Sequence, residues 1–207
     1  MGLNIIPKDI RDNWKVHEWR HACAVLKHDY PNELKDMIDV LRGFKLYHTE
    51  IKKKGGNKSL IAKRIDAAFS KRDWEEKSFD TKFMIDGKAL DSPTHSIDCF
   101  KNEVGLEIEW NNKDPFFDRD LNNFRLLFDL RVLSVGVIIT RTDELQSLLS
   151  TIRKGSSYGK NTTHWGKLLP RINGGGGGGC PLLVFGIKKE LYVNDSKAKV
   201  ASGPAAS

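Results

Sequence analysis

A strand, a helix and a second strand in the latter half of the chain most constrain what it can fold into. The stretch VGLEIEW, residues 104–110, alternates apolar and polar residues, which is the pattern of a strand with one buried face. The segment RDLNNFRLLFDLR carries an apolar stripe at helical spacing, formed by Leu121, Phe124, Leu127, Phe128 and Leu130. The next run, VLSVGVIIT, is continuously apolar, as central strands are. This order predicts an α/β domain whose central mixed sheet is flanked by helices.

Further elements surround this unit. Between residues 15 and 41, WRHACAVLKHDYPNELKDMIDVL has apolar residues at helical spacing and is interrupted at Tyr30-Pro31, so we predict two helices. LIAKRIDAAFSKRDW and TDELQSLLSTIRKG predict helices, TKFMIDGKAL a strand that ends in an Asp-Gly turn, and CPLLVFGI a buried closing strand. The glycine run Gly174–Gly179 favours a flexible connector, although its N–H groups could also approach phosphates.

Charge and cysteine content narrow the class of protein. The chain has 34 Lys plus Arg against 27 Asp plus Glu, a net charge of +7 that favours polyanionic partners, above all nucleic acid. Its three cysteines lie far apart and form no CxxC pair, so neither a disulfide framework nor a zinc knuckle is indicated. The N-terminus lacks an apolar signal region, and the longest apolar runs are too short to span a bilayer. We therefore expect a cytoplasmic protein that does not enter the membrane.

Three carboxylates follow the pattern D-x8-E-x-E at Asp98, Glu107 and Glu109. If the segment around Asp98 lies next to the VGLEIEW strand, all three can meet at one end of the sheet. On one face of a strand, Glu107 and Glu109 would be roughly 6 to 7 Å apart, and such like charges repel unless a cation intervenes. Hard oxygen ligands suit magnesium, which supports phosphodiester hydrolysis. The alternative interpretation is a solvated strand face.

Two other motifs suggest different chemistry. The stretch His17-Glu18-Trp19-Arg20-His21 matches HExxH, which on a helix would hold zinc with Glu18 as general base. Two histidines on a helix surface are favoured instead, because no third ligand is marked. KKKGGNKS resembles a phosphate-binding loop, but Asn57 separates Gly56 from Lys58, so a solvated basic turn is favoured.

The order of these features resembles a known family. Asp98, then Glu107-Ile108-Glu109, then NNK, a helix and the strand VGVIIT is similar to the type II restriction endonucleases of the BglII/BstYI-like group, within the PD-(D/E)XK nuclease superfamily. In that group an Asp is followed nine residues later by Glu-x-Gln on a strand. The closing strand CPLLVFGI after a Gly-rich loop is also similar, and the resemblance covers roughly residues 60–190. Glu109 stands where those relatives carry Gln, as in the Glu-x-Glu of BamHI.

The resemblance implies a restriction-endonuclease-like core and a magnesium-dependent cut in double-stranded DNA. Asp98 and Glu107 would bind Mg²⁺ together with the carbonyl of Ile108. Glu109 would act as general base, orient water or bind a second metal ion, and Glu76 is expected as a further catalytic residue. We expect one endonuclease domain over 1–195, with a helical N-terminal part to about residue 75, a catalytic core over about 76–190 and a disordered tail at 196–207.

The same resemblance places DNA contacts in two loops, NNK and SSYGKNTTHW. Lys52–Lys54 would also bind DNA phosphates. The residues expected to contact DNA are Asn111, Asn112, Lys113, Arg153, Lys154, Lys160, Asn161, Thr162, Thr163 and His164. Since one compact domain reads a half-site, we expect a homodimer that cuts a short palindrome. The alternatives are a non-catalytic DNA-binding protein of the same fold and a zinc hydrolase that uses His17, Glu18 and His21.

Overall fold

The computed structural model describes residues 2–53, 58–91, 94–152, 158–159 and 161–197. The helices are α1 (Lys8–Asn13), α2 (Ala22–His28), α3 (Pro31–Gly43), α4 (His48–Lys52), α5 (Leu60–Ser70), α6 (Phe116–Asp129), α7 (Leu145–Ile152) and α8 (Trp165–Asn173). The strands are β1 (Trp14–Trp19), β2 (Leu46–Tyr47), β3 (Glu75–Lys77), β4 (Lys82–Ile85), β5 (Lys88–Asp91), β6 (Ile97–Lys101), β7 (Val104–Glu109), β8 (Val135–Arg141), β9 (Leu182–Ile187) and β10 (Tyr192–Val193). Short 3-10 turns lie at Gly2–Ile5, Lys189–Leu191 and Asp195–Lys197.

A six-stranded mixed sheet forms the centre, in the order β1-β9-β8-β7-β6-β3. The strands β7, β8 and β9 run parallel to one another. The outer pairs are antiparallel, with β1 against β9, β6 against β7 and β3 against β6. The predicted α/β fold with helices flanking a mixed sheet is confirmed. The carboxyl ends of β7, β8 and β9 therefore share one edge, which is where open α/β sheets commonly carry their sites.

Each face of the sheet has its own hydrophobic core. The larger core joins Val104, Leu106 and Ile108 of β7 to apolar side chains of α2, α3, α5 and α7. The smaller core lies on the opposite face and is built from α6, α8 and parts of β8 and β9. Both faces of β7 are consequently buried along its whole length. The alternative interpretation of a solvated second face is therefore wrong, because α6 covers that face.

Two glycines let α6 approach the sheet closely. A Cβ at Gly136 would lie 2.6 Å from the Phe124 ring, and one at Gly105 would lie 2.7 Å from Leu133 and 3.3 Å from Phe124. Real side chains never tolerate the shorter of these distances without a shift of the neighbour. The glycines therefore keep the polar side chains of α6 within reach of β7.

The first predicted helix was placed wrongly at its start. Residues 14–19 form the edge strand β1, which pairs with β9 from Trp14 opposite Ile187 to Trp19 opposite Leu182. The segment WKVHEW alternates apolar and polar residues only from Trp14 to His17, so its pattern is weak, and pairing with the apolar strand β9 makes it a strand. The interruption at Tyr30-Pro31 was predicted correctly, because Pro31 is the first residue of α3. The N-terminal part is therefore not wholly helical, since it contributes a strand to the central sheet.

The remaining segments mostly match the predictions. TKFMIDGKAL forms the hairpin β4–β5, turning at Asp86 and Gly87 with φ of 49° and 75°, so the predicted strand continues into a second one. Helix α8 was not anticipated, and Leu130 is exposed rather than part of the buried stripe. The run Gly174–Gly179 forms hydrogen-bonded turns against the core, with Gly177 beside Leu182.

None of the helices in the described ranges combines the length and apolarity that a membrane crossing needs. The three cysteines, Cys23, Cys99 and Cys180, are free thiols buried in the protein. The expected tail falls largely at 198–207, outside the described residues.

Candidate active site

Asp98 and Glu107 lie side by side where β6 begins and β7 ends. The two strands form a hairpin whose turn residues, Asn102 and Glu103, have φ of 44° and 64°, typical of a tight two-residue turn. Asp98 Oδ2 accepts a hydrogen bond from the backbone N–H of Ile108 at 2.9 Å. Glu107 Oε2 accepts one from the backbone N–H of Asp98 at 3.4 Å. The D-x8-E spacing is thus the spacing of two residues that face each other across a hairpin.

Glu107 and Glu109 are both 2% exposed, so neither lies on a solvated strand face. Burial raises the pKa of Glu107, and the neighbouring carboxylates of Asp120 and Asp98 add to the effect. Burial likewise raises the pKa of Glu109, with repulsion from Asp120 as a further cause. Asn112 Nδ2 donates to Glu109 Oε2 at 3.0 Å, which favours the ionised carboxylate. Several carboxylates therefore lie close together in a buried position, where their negative charges repel one another unless a cation lies nearby.

Two residues absent from the predicted site join Glu107. His95 Nε2 lies 3.4 Å from Glu107 Oε1 and 3.2 Å from Asp120 Oδ1. One potential ligand atom from each of these three residues lies within 4.8 Å of the others. Burial opposes a charge on His95, but the adjacent carboxylates of Asp120 and Glu107 outweigh the effect of burial and raise the His95 pKa to about 9.

The residues around His95, Glu107 and Asp120 hold these three side chains in place but leave some of their polar atoms without a hydrogen-bond partner. Arg119 donates to Asp120 Oδ1 at 3.2 Å, and Asn123 Nδ2 donates to the backbone carbonyl of His95 at 3.2 Å. Neither His95 contact meets hydrogen-bond geometry, so Glu107 Oε1, Asp120 Oδ2 and His95 Nε2 are buried without a hydrogen-bond partner among the described residues. Unpaired buried oxygens of carboxylates are costly, and a bound cation is one way to satisfy them.

Asp98 also contacts a cation of the protein itself. Lys58 Nζ lies 3.3 Å from Asp98 Oδ1 and 3.0 Å from Asp66 Oδ2, on the side of the sheet where α5 packs. The Lys58 side chain is 31% exposed, so this ion pair stands at the rim of the site rather than in its interior. An ammonium therefore already balances Asp98, whereas Glu107 depends on His95.

The two loops predicted to contact DNA are hydrogen-bonded to each other beside Glu109. Lys113 and Thr162 form a β-bridge, and Thr163 N donates to Asn112 O at 2.8 Å. The Thr163 hydroxyl is fully buried and accepts from Asn112 N at 3.0 Å. Thr162 Oγ1 accepts from the buried guanidinium of Arg141 at 2.9 Å. In this arrangement the two threonines hold the loops together, while Lys113 and Asn161 are exposed.

The other predicted residues are not gathered at this point. Glu76 is exposed on the edge strand β3, and its side chain forms no hydrogen bond or ion pair within the described part of the chain. Asn111 is half-buried beside Asn112, and His164 lies against Asp143. Lys52 and Lys53 are exposed. Lys54, Arg153, Lys154 and Lys160 lie outside the described residues.

The zinc interpretation of HExxH was wrong. His17 and Glu18 lie on the strand β1, and His21 adopts a left-handed conformation just before α2, so the two histidines do not share a helix face. Glu18 Oε1 instead accepts from the backbone N–H of Cys23 at 3.0 Å, and the His17 ring packs edge-on against Trp165. Within the described ranges, His95, Glu107 and Asp120 are the grouping whose ligand atoms converge.

A comparison with protein families decides the assignment. The model of the restriction endonuclease BglII/BglIII family matches residues 14–187. The chain belongs to this family. The match begins at the first residue of β1 and ends at the last residue of β9, so it covers the whole central sheet. The predicted resemblance is confirmed and extends further toward the N-terminus than expected.

Membership makes this BglII-family protein a type II site-specific deoxyribonuclease that cleaves DNA. No curated protein matches the chain. The sequence had indicated Asp98, Glu107 and Glu109, but it missed His95 and Asp120. A signal for Asp120 was present, because it interrupts the buried stripe of α6 between Phe117 and Phe124 with a charged residue. Nothing in the sequence around His95 marked it.

Proposed function

We propose that this endonuclease hydrolyses double-stranded DNA at a short palindrome, as a homodimer, with Mg²⁺ held by Asp98, Glu107 and the carbonyl of Ile108. The observation that carries the proposal is the exchange of hydrogen bonds between Asp98, Glu107 and Ile108 across the hairpin. It fixes two carboxylates and one main-chain segment at the same edge of the sheet. That is the kind of oxygen-rich position that Mg²⁺ favours.

The donor set fits a divalent cation. Glu107 Oε1 is buried and has no hydrogen-bond partner among the described residues, and burial beside Asp120 and Asp98 disfavours its charge. Hard carboxylate oxygens suit Mg²⁺, which keeps other positions for water and a substrate phosphate. When bound, Mg²⁺ activates water and offsets the charge that develops at the scissile phosphate.

The residues of the chain supply the positioning. The carboxylate of Glu109, held by Asn112 at 3.0 Å, would orient the attacking water or accept its proton. Because burial raises the pKa of Glu109, a nearby cation would favour the ionised form that either role requires. Lys58 would remain next to Asp98 as a positive charge at the rim. Glu76 stays a proposed further catalytic residue, at the exposed edge of the sheet.

The paired loops beside Glu109 are the proposed DNA contact. Exposed Lys113 and Asn161 would reach phosphates or bases, and Asn111, Asn112 and His164 would line the same surface. Arg153, Lys154 and Lys160 are proposed to add phosphate contacts. Since the net charge is +7, binding is expected to weaken steeply as salt concentration rises. A two-fold axis between two chains would place two such surfaces on one palindrome.

Cleavage of a sequenced plasmid tests the proposal. The full chain is incubated with the plasmid in Mg²⁺ or in EDTA, and the ends are mapped. We expect double-strand breaks at one palindromic sequence in Mg²⁺ and intact plasmid in EDTA. Breaks that do not depend on a divalent cation, or ends scattered over unrelated sequences, would contradict it.

A further inference from the structure

We propose that His95 and Asp120 are ligands of a divalent cation site that shares Glu107, and that the imidazole makes this site prefer Mn²⁺ to Ca²⁺. The inference rests on the proposed function only in that Glu107 is a ligand of both the proposed Mg²⁺ site and this one. Neither His95 nor Asp120 belongs to the D-x8-E-x-E pattern.

The spacing of the three side chains fits one ion. Two ligand atoms that each lie about 2.1 Å from a cation are about 3.0 Å apart at a right angle and about 4.2 Å apart on opposite sides. His95 Nε2 lies 3.4 Å from Glu107 Oε1 and 3.2 Å from Asp120 Oδ1. These separations fall in the expected range without any rearrangement of the backbone.

Unpaired buried atoms give independent support. Asp120 is fully buried and Glu107 is 2% exposed, yet Asp120 Oδ2 and Glu107 Oε1 have no hydrogen-bond partner within the described part of the chain. His95 Nε2, which lies between the two side chains, is unpartnered as well. An ion pair between an imidazolium and two carboxylates would account for the charges but leaves these atoms without hydrogen bonds. A cation bound by His95 Nε2, Glu107 Oε1 and the Asp120 carboxylate would supply the missing partner.

The surroundings hold the ligands in place before any ion arrives. Asn123 lies one turn after Asp120 on α6 and donates to the carbonyl of His95 at 3.2 Å, which ties the His95 backbone to the helix. Arg119 donates at 3.2 Å to Asp120 Oδ1, the oxygen that also lies 3.2 Å from His95 Nε2. Such outer contacts orient metal ligands in proteins. An imidazole ligand also shifts preference away from hard ions such as Ca²⁺ toward transition metals.

Electron paramagnetic resonance of Mn²⁺ bound to the full, metal-stripped chain tests the site directly. We expect ¹⁴N coupling from a directly bound imidazole, replaced by ¹⁵N coupling when the protein is labelled with ¹⁵N-histidine. The wild-type measurement does not depend on the folding of any variant. Bound Mn²⁺ without nitrogen coupling, or no Mn²⁺ binding at all, would overturn the site.

Calorimetric titration with Mn²⁺ and Ca²⁺ then compares variants. We expect His95→Asn to lose the nitrogen coupling and to weaken Mn²⁺ binding about tenfold or more. The affinity for Ca²⁺ should change by less than about threefold, since an imidazole nitrogen is a poor ligand for Ca²⁺. The control His28→Asn, at an exposed position at the end of α2, should change neither. Equal losses for both ions would show that His95 acts only through the fold.

The outcomes separate this inference from the proposed function. Mg²⁺-dependent cleavage by a protein whose bound Mn²⁺ shows no nitrogen coupling would overturn the His95 site and leave the nuclease proposal standing. Nitrogen coupling in a protein that cuts equally well in EDTA would support the site and contradict the role of Mg²⁺ in cleavage.

Discussion

The carboxylate of Asp98 accepts a hydrogen bond from the backbone N–H of Ile108 at 2.9 Å, across the hairpin that joins β6 to β7. Asp98 is thereby fixed beside the peptide segment whose carbonyl is the third proposed ligand. The contact uses Oδ2, while Oδ1 faces Lys58. Geometry and charge at Asp98 can therefore be varied separately.

Asp98→Asn separates the two. An Asn side-chain oxygen can still accept from Ile108 N, so we expect a folded protein with a melting temperature near that of the wild type. The lost negative charge should reduce Mg²⁺-dependent cleavage by about 100-fold or more. Plasmid cleavage rates and thermal melts measure the two effects. Cleavage at the parental rate would mean that the metal site lies elsewhere.

Glu109→Gln should retain DNA binding but cut much more slowly, because the amide can neither accept a proton nor carry the charge. Since burial and Asp120 disfavour the ionised carboxylate, we also expect the metal-free variant to be more stable by about 1 kcal/mol. Gel shifts in Ca²⁺, cleavage in Mg²⁺ and thermal melts in EDTA test this. Glu190→Gln, at an exposed position, is the matched control. Full activity in Glu109→Gln would reduce Glu109 to a structural residue.

Lys58→Met should increase the affinity for divalent cations about threefold to tenfold, because it removes a cation that contacts Asp98 and Asp66. Calorimetric titration with Ca²⁺ measures the change. Lys63→Met, exposed on the same helix α5, should have little effect. Unchanged or weaker binding in Lys58→Met would show that Lys58 does not compete with the ion.

Thr163→Val should loosen the paired loops. Val keeps the shape of Thr but cannot accept the hydrogen bond of Asn112 N, so a partly buried N–H loses its partner at a cost of about 1–3 kcal/mol. We expect a lower melting temperature and weaker discrimination between the recognition site and other DNA. Thr163→Ser keeps the hydroxyl and should restore both. If Val and Ser behave alike, the hydroxyl does not hold the loops.

The sequence predicted those parts of the site that depend on local spacing. Asp98 and Glu107 could be paired because a hairpin with a two-residue turn at Asn102-Glu103 brings positions nine apart face to face. His95 and Asp120 could not, since they come from a loop and from α6 and meet Glu107 only after the sheet has packed.

In the fold, too, only the elements with a strong local sequence signal were predicted. The central strands β8 and β9 were predicted from their apolar runs, because burial on both faces leaves a strong local signal. The strand β1 was predicted as a helix, because its alternation is weak and its pairing with β9 joins residues at opposite ends of the chain. Likewise, α6 covers Glu107 and Glu109 through a tertiary contact. The alternating pattern of β7 does not predict this contact.

The most direct test of the proposed active site is a comparison of wild type with Glu107→Gln on a plasmid that contains the recognition site. DNA binding is measured in Ca²⁺ and cleavage in Mg²⁺ on the same preparations. We predict that Glu107→Gln binds the site with nearly wild-type affinity and cuts it at least about 100-fold more slowly. Cleavage by Glu107→Gln at the wild-type rate would contradict the assignment of Asp98 and Glu107 as the catalytic pair.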